Sequence, residues 1–206
     1  DGAAAFSYQE SAGFQPLRLA AAKDMERCFG RGVNPQDVHV VSGAQQGLDL
    51  AARVLLRPGD VAAAENPGYP GVVAAFMAAG ARVEWLDIGA TGPDLAALER
   101  IARERPLRLV YVNPTLQNPS CAVYDQDVRK DLVKLAERFG FYIIEDDLMG
   151  DLAEHAPPPL ASLDSSGRVI YLKSYSKSLM PGLRIAVLEA SPVLRERLEE
   201  AKRAVD

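Results

Sequence analysis

Short apolar runs alternate with longer stretches of helical periodicity along the chain. Seven runs are rich in valine, isoleucine and leucine and mostly lack alternating polar positions, which predicts strands covered on both faces. These runs are residues 38–41, 61–65, 82–86, 109–112, 142–145, 169–172 and 184–188. The helical stretches are residues 45–56, 69–79, 95–105, 126–139 and 193–205. This alternation predicts an α/β fold with three layers, α/β/α, around a mainly parallel, mixed sheet.

Composition narrows the class of protein. The chain has 206 residues, 48% of them hydrophobic, which is enough for one substantial core. A net charge of −5 without a Lys/Arg cluster argues against nucleic-acid contacts. The longest nearly uncharged apolar stretch, residues 71–81, is too short to cross a membrane. Two cysteines and two distant histidines favour neither a disulfide framework nor a metal site, so we predict a cytoplasmic protein without metal.

Polar segments follow the predicted strands, and ligands of parallel α/β sheets bind beyond those strand ends. The segment SGAQQG, residues 42–47, opens a helix whose free N–H groups and dipole suit a phosphate. An equal alternative is that Ser42 caps the helix and Gly43 permits a tight turn. In NPGYP, residues 66–70, Tyr69 is either a ring presented to a planar ligand or a core tyrosine.

Two further segments contribute an amide and a group of acids. NPTLQNPS, residues 113–120, has two Asn-Pro steps that hold the loop extended, so Asn118 is a fixed polar group unless it is a simple turn residue. The strand at 142–145 continues into Asp146 and Asp147. Three consecutive acids at the end of an apolar strand are costly unless something uses them. The alternatives are a solvated loop and a metal site whose other ligands the sequence does not reveal.

The segment SYSKSLMPGLR, residues 174–184, holds two groups of candidates. A lysine inside a pocket at a strand end is poorly hydrated, which favours the neutral amine that forms a Schiff base with an aldehyde. Lys177 is this candidate, although a single lysine is more often solvated, and Lys173 is predicted to be the solvated one. The suitable phosphate partners beside it are Ser174, Ser176 and Arg184.

The whole set of residues is more specific than any one member. A lysine, an acid, an aromatic, an asparagine and a phosphate cradle fall at successive strand ends, as a pyridoxal phosphate site requires. The motifs VSGAQQGLDLAARVLLRPGD, ENPGYPG, NPTLQNP, IIEDD and SYSKSLMPGLR resemble, in order and spacing, those of the aminotransferase class I/II family, fold type I of the pyridoxal-phosphate enzymes. The chain is similar to the branch that contains 2-aminoadipate-type aminotransferases and the aminotransferase-like domains of GntR/MocR-type regulators.

The resemblance implies a role for each candidate residue. Lys177 would hold pyridoxal 5′-phosphate as a Schiff base and later move a proton between Cα and C4′. Asp146 would pair with the pyridine nitrogen, Asn118 would hydrogen-bond the phenolic oxygen, and Tyr69 would stack on the ring. The residues implied to hold the phosphate are Gly43, Ala44, Gln45, Ser174, Ser176 and Arg184.

Three positions depart from the family pattern. Leu148 stands where the family often has a tyrosine, Cys121 where Asn-Pro-Thr-Gly has its glycine, and Ala186 where a glycine is usual. Because leucine cannot donate a hydrogen bond to the phenolic oxygen, we expect the phenolate of the cofactor to be less stabilised.

Residues 1–206 are therefore expected to be the pyridoxal-phosphate-binding large domain of a longer protein. The chain begins with Asp1, and its last predicted helix has no C-cap signal. The resemblance implies a C-terminal small domain that supplies an arginine for the substrate carboxylate, and a homodimer; in regulators it also implies an N-terminal winged-helix domain. We expect an aminotransferase that moves an amino group between an amino acid and a 2-oxo acid. The alternatives are an effector-sensing domain with little or no turnover and a domain without cofactor; this chain alone is expected to be inactive.

Overall fold

The computed structural model describes residues 10–205, which fold around an eight-stranded mixed sheet. The strand order is β1-β8-β7-β6-β5-β2-β3-β4. The strands are β1 (Val38–Val41), β2 (Val61–Asn66), β3 (Arg82–Gly89), β4 (Gly92–Pro93), β5 (Leu107–Val112), β6 (Tyr142–Asp147), β7 (Val169–Ser174) and β8 (Ala186–Glu189). Strands β3, β2, β5, β6 and β7 are successively parallel, whereas β8 is antiparallel to β1 and β7, and β4 is antiparallel to β3. The predicted mainly parallel, mixed sheet is thereby confirmed.

Helices cover both faces of this sheet. They are α1 (Gln15–Phe29), α2 (Ala44–Leu55), α3 (Pro70–Ala78), α4 (Leu95–Glu104), α5 (Gln126–Phe139), α6 (Leu160–Leu163) and α7 (Pro192–Arg203). One apolar cluster joins the sheet to α1, α4, α5 and α6, and we name that side the α1 face. A second cluster joins the sheet to α2, α3 and α7, and we name that side the α2 face. Two buried clusters on opposite sides of one sheet make the predicted three-layer α/β/α arrangement.

Several elements differ from the sequence prediction, among them α1 and β8; the short elements β4 and α6 were not predicted either. Helix α1 lies where no element is predicted, because its buried side is built from small residues such as Ala21 and Ala22 and is interrupted by the buried Arg18. Strand β8 begins at Ala186 rather than at residue 184. Arg184 instead ends a 3₁₀ turn in a left-handed conformation with φ of 51°, which breaks the extended backbone.

The carboxyl ends of β2, β5, β6 and β7 meet at one edge of the sheet because these strands are parallel. Side chains alternate between the two faces along each strand. In β6, Ile143 belongs to the apolar cluster of the α1 face and Ile144 to that of the α2 face. The same alternation turns Asp146 toward the α2 face and sends Glu145 and Asp147 to the α1 face. No helix within residues 10–205 is both long and apolar enough to cross a membrane.

Candidate active site

A cavity of about 290 Å³ opens at the carboxyl edge of the sheet, beside the starts of α2 and α3. Its wall combines side chains from all five polar segments that follow the predicted strands. The lining residues are Ala44, Gln45, Tyr69, Tyr111, Asn118, Asp146, Leu148, Ser174, Ser176, Lys177, Pro181 and Arg184. All the predicted site residues except Gly43 are in this wall, and Gly43 lies directly against Arg184. The structure therefore brings together residues that are up to 141 positions apart, from 43 to 184.

Asp146 is the acid of this cavity. It is only 4% exposed, and its Oδ2 accepts a hydrogen bond of 2.9 Å from the hydroxyl of Tyr111. Its other oxygen, Oδ1, is buried and has no hydrogen-bond partner among the described residues. Loss of hydration on burial raises the pKa of Asp146 to about 7, although the hydrogen bond from Tyr111 acts in the opposite direction. One carboxylate oxygen is thus left for a donor that enters the cavity.

The aromatic wall is held by the starts of two helices. The hydroxyl of Tyr69 donates to Gln45 Oε1 at 3.1 Å, and Gln45 Nε2 donates to the carbonyl of Gly71 at 3.0 Å. A Cβ atom at Gly71 would collide with both Gln45 and Tyr69, so the absence of a side chain permits this contact. The ring of Tyr69 is therefore fixed in the wall of the cavity, as a planar ligand would require.

The loop that carries Asn118 is fixed by the buried side chain of Gln117. Gln117 Nε2 donates to Glu65 Oε2 and to the carbonyl of Pro67, both at 2.8 Å. The backbone N–H of Asn118 donates to Asn113 Oδ1 at 2.8 Å. Since Pro67 belongs to the loop of Tyr69, a single amide links the two loops that present Tyr69 and Asn118 to the cavity.

The corner beside α2 is suited to an anion. Helix α2 begins after Gly43, which is its N-cap residue, so the alternative in which Ser42 caps the helix is wrong. Gly43 has φ of 80°, which favours glycine, and a Cβ atom there would lie 2.5 Å from Arg184 Nη2. The guanidinium group of Arg184 and the first N–H groups of α2 therefore occupy one corner, with Ser174 and Ser176 in the same cavity wall.

The two neighbouring lysines, Lys173 and Lys177, lie in different environments. Lys177 lines the cavity but is exposed, so it lies at the mouth of the cavity. Lys173, predicted to be solvated, is only 4% exposed. Its Nζ contacts Asp24 at 2.8 Å and Asp151 at 2.7 Å on the α1 face. The prediction for Lys173 was wrong because β7 continues through Lys173 to Ser174, and because the two acids that pair with Lys173 come from distant parts of the chain.

The other two acids of β6 are used by the fold. Glu145 accepts backbone hydrogen bonds from Leu160 at 2.8 Å and Ala161 at 2.9 Å. Asp147 accepts hydrogen bonds from the Tyr171 hydroxyl and from the N–H of Gly150. Among residues 10–205, no group of three or more His, Cys, Asp or Glu side chains is placed to hold a metal ion. The solvated loop is excluded for Glu145, which is only 1% exposed.

Tyr111 is a polar residue of the cavity wall that sequence reasoning missed. It lies within β5, in a run that reads as apolar core, and it is 1% exposed. The available signal was its hydroxyl, because a buried tyrosine generally needs a hydrogen-bond partner. The sequence does not show that this partner is Asp146.

Comparison with known proteins agrees with this geometry. The aminotransferase class I and II family matches residues 1–205. A 2-aminoadipate transaminase of Thermus thermophilus is 37% identical over 100% of this chain and 51% of its own length. The HTH-type transcriptional regulator TauR of Rhodobacter capsulatus is 42% identical over 76% of this chain and 32% of its own.

Among solved structures, the alpha-aminoadipate aminotransferase LysN of Thermus thermophilus, complexed with N-(5′-phosphopyridoxyl)-L-leucine, has a TM-score of 0.91 and 34% identity. The match covers 100% of this chain and 53% of that structure. The chain spans about half the length of the aminotransferases it matches. Both the family match and these relatives show that the chain belongs to the aminotransferase class I and II family.

Proposed function

We propose that this chain forms the cofactor-binding part of a pyridoxal-5′-phosphate-dependent aminotransferase, which moves an amino group between an amino acid and a 2-oxo acid. The observation that carries the proposal is Asp146, whose buried Oδ1 has no partner among the described residues and belongs to the same cavity as Lys177. Such an oxygen fits a protonated ring nitrogen. The corner formed by Gly43 and Arg184 fits a phosphate. When bound, the cofactor supplies an electron sink for the carbanion formed at a substrate Cα.

Each of the predicted site residues then has a definite role. The amine of Lys177 holds the cofactor covalently and moves a proton at the substrate Cα. The carboxylate of Asp146 keeps a proton on the ring nitrogen, because an ion pair favours the charged form of both groups. Tyr69 forms the aromatic wall, and Asn118 donates to the phenolic oxygen. Arg184 and the start of α2 bind the phosphate.

A sensor is the second candidate function, favoured by the identity of 42% to the regulator TauR. The same cavity in a regulator would bind an effector amine, with slow turnover or none. The sequence of the full-length gene distinguishes the aminotransferase from the regulator. A basic winged-helix segment encoded ahead of Asp1 would indicate the regulator. For either parent protein we propose a homodimer in the cytoplasm, and for the enzyme a small domain that binds the substrate carboxylate.

Borohydride trapping tests the cofactor claim. Protein incubated with pyridoxal phosphate should gain an absorbance band that borohydride bleaches, and peptide mapping should find the reduced label on the peptide that contains Lys177. Lys177→Ala is the matched variant and should remain unlabelled. Label on other lysines, with none on Lys177, contradicts the proposal. Amino-group transfer by the full-length protein, followed with several amino acids and 2-oxo acids, then separates an enzyme from a sensor.

A further inference from the structure

Two tyrosine–aspartate pairs flank the end of β6, one on each face of the sheet. On the α2 face, the hydroxyl of Tyr111 donates to Asp146 Oδ2 at 2.9 Å. On the α1 face, the hydroxyl of Tyr171 donates to Asp147 Oδ2. Both tyrosines are almost fully buried, at 1% and 0% exposure. The two pairs are consequently equal in chemistry and in burial of the tyrosine.

The pairs differ in the second carboxylate oxygen. Asp147 Oδ1 accepts a hydrogen bond of 2.7 Å from the N–H of Gly150, so the fold satisfies both of its oxygens. Asp146 Oδ1 is buried without a partner among residues 10–205. Only the pair of Asp146 and Tyr111 lines the cavity. Because a buried carboxylate oxygen is costly unless it is hydrogen-bonded, the open oxygen of Asp146 points to a ligand donor.

We propose that Tyr111 is a positioning residue, which by its hydrogen bond to Oδ2 holds Asp146 ionised with Oδ1 free for the ring nitrogen of the cofactor. The inference rests on the proposed function. It deepens that function because it makes Tyr111 a residue that controls the protonation of the ring nitrogen. Tyr111 acts through Asp146 and does not need to touch the ring nitrogen itself.

The surroundings of Tyr111 fit the role of a fixed donor. Burial, and next the negative charge of Asp146, raise the pKa of the Tyr111 hydroxyl well above its usual value, so the hydroxyl stays protonated. Two residues further on, Asn113 Nδ2 donates to the carbonyl oxygen of Asp146 at 2.7 Å. The end of β5 therefore holds Asp146 by both its side chain and its backbone.

The expected effect of Tyr111 is on the position of one proton, which the ring nitrogen and Asp146 share. With the cofactor bound, the proton resides either on the ring nitrogen or on Asp146. A hydroxyl that donates to the carboxylate stabilises the anion, so the proton remains on the ring. Removal of the hydroxyl makes the carboxylate more basic, and the proton moves toward Asp146.

The test compares Tyr111→Phe with its matched control, Tyr171→Phe. Each protein is loaded with pyridoxal phosphate isotopically labelled at the ring nitrogen, and NMR follows the protonation of that nitrogen against pH. In Tyr111→Phe the ratio of protonated to unprotonated ring nitrogen at neutral pH should be about 10- to 100-fold lower than in the wild type, and affinity for the cofactor should fall about tenfold. Tyr171→Phe should leave the ring titration unchanged, although it also removes a buried hydrogen bond.

Each other outcome has a definite meaning. A Tyr111→Phe ring that titrates like the wild type overturns the inference, and so does an equal shift in Tyr171→Phe. If Tyr111→Phe does not fold, 3-fluorotyrosine at position 111 decides, because this more acidic donor should stabilise the carboxylate further and increase the fraction of protonated ring nitrogen. No change with 3-fluorotyrosine overturns the inference. Wild-type protein that binds no pyridoxal phosphate overturns the proposed function as well.

Discussion

At the carboxyl edge of the sheet, the charged groups on the two faces differ in whether they have partners within the protein. On the α1 face, Lys173 pairs with Asp24 and Asp151, and Asp147 accepts from a tyrosine and a backbone N–H. On the α2 face, Asp146 keeps an open oxygen and Lys177 lies exposed at the cavity mouth. Buried polar groups are costly without partners. The charged groups on the α1 face therefore have partners within the protein. The groups left open lie in the cavity for which we propose cofactor binding.

The largest expected effect is a gain of stability when the open acid is removed. Burial raises the pKa of Asp146 from 3.8 to about 7, so the folded state of the cofactor-free protein binds more protons than the unfolded state between these values. The free energy of unfolding of the wild type therefore falls as pH rises from about 4 to about 7. Asp146→Asn removes this dependence and should be more stable by up to about 4 kcal/mol at pH 8. Denaturant unfolding at several pH values measures the difference, which should widen between pH 4 and 7 and stay constant above.

Asp147→Asn is the matched change on the α1 face. Asp147 already accepts two hydrogen bonds, and an amide places its N–H₂ group against one of the donors. We expect a loss of about 1–3 kcal/mol at pH 8. An Asp146→Asn protein that is no more stable than the wild type at pH 8 would break the comparison of the two faces. A gain of stability in both variants would do the same.

The next effect contrasts the two lysines. Lys173→Met removes the cation between Asp24 and Asp151, whose side chains are 21% and 38% exposed. Since these partners are partly hydrated, the loss should be about 2 kcal/mol, less than for a fully buried pair. Lys177→Met should change stability by less than about 0.5 kcal/mol, because the residue is exposed. Thermal and denaturant unfolding of the cofactor-free variants measure both, and equal losses would contradict the assignment of the two lysines.

Much of the fold could be predicted from the sequence because most of its strands are buried on both faces. Strand β3 is an exception, since only Leu86 is buried in it and the predicted cover on both faces was wrong there. Runs of valine, isoleucine and leucine located every long strand, and the parallel arrangement placed the polar loops at a common edge. Asn118 and Lys177 lie in the cavity wall, on loops that follow such runs in the chain. Arg184 also lies in the wall, but it was predicted as the first residue of a strand and instead ends a turn before β8. The roles assigned to them remain predictions.

The rest depended on packing that no local pattern contains. Lys173 reads as a solvated residue until helix α1 and Asp151 are brought against it. Tyr111 lies within a run of apolar residues, so the sequence predicts a core residue from its ring and gives no sign of a role for its hydroxyl. The buried side of α1 contains alanines and Arg18, so its periodicity is weak. In each case a contact distant in sequence, rather than a local preference, decides the environment.

A smaller effect concerns Leu148, which lines the cavity on the same wall as Asp146. Leu148→Tyr would place a hydroxyl where the family often has one, and should tighten cofactor binding about tenfold, or about 1.4 kcal/mol. Leu148→Phe is the control, since it adds a ring without the donor. Fluorescence titration with pyridoxal phosphate measures both dissociation constants. Equal tightening by phenylalanine would assign the effect to ring contact and refute the hydrogen bond.

The smallest expected effect tests the turn that carries Asn118. Cys121 has φ of 58°, a left-handed conformation that costs a residue with a Cβ atom about 1–2 kcal/mol. Cys121→Gly relieves this strain but gains freedom in the unfolded chain, so the net stabilisation should be about 0.5–1 kcal/mol. Cys121→Ala removes the thiol and keeps the strain, so it should not stabilise the protein. Unfolding free energies of the three proteins measure the difference.

Because Cys121 is exposed, the thiol has little packing to lose. A glycine variant no more stable than the alanine variant would therefore show that backbone strain is not the cost of this departure from the family pattern.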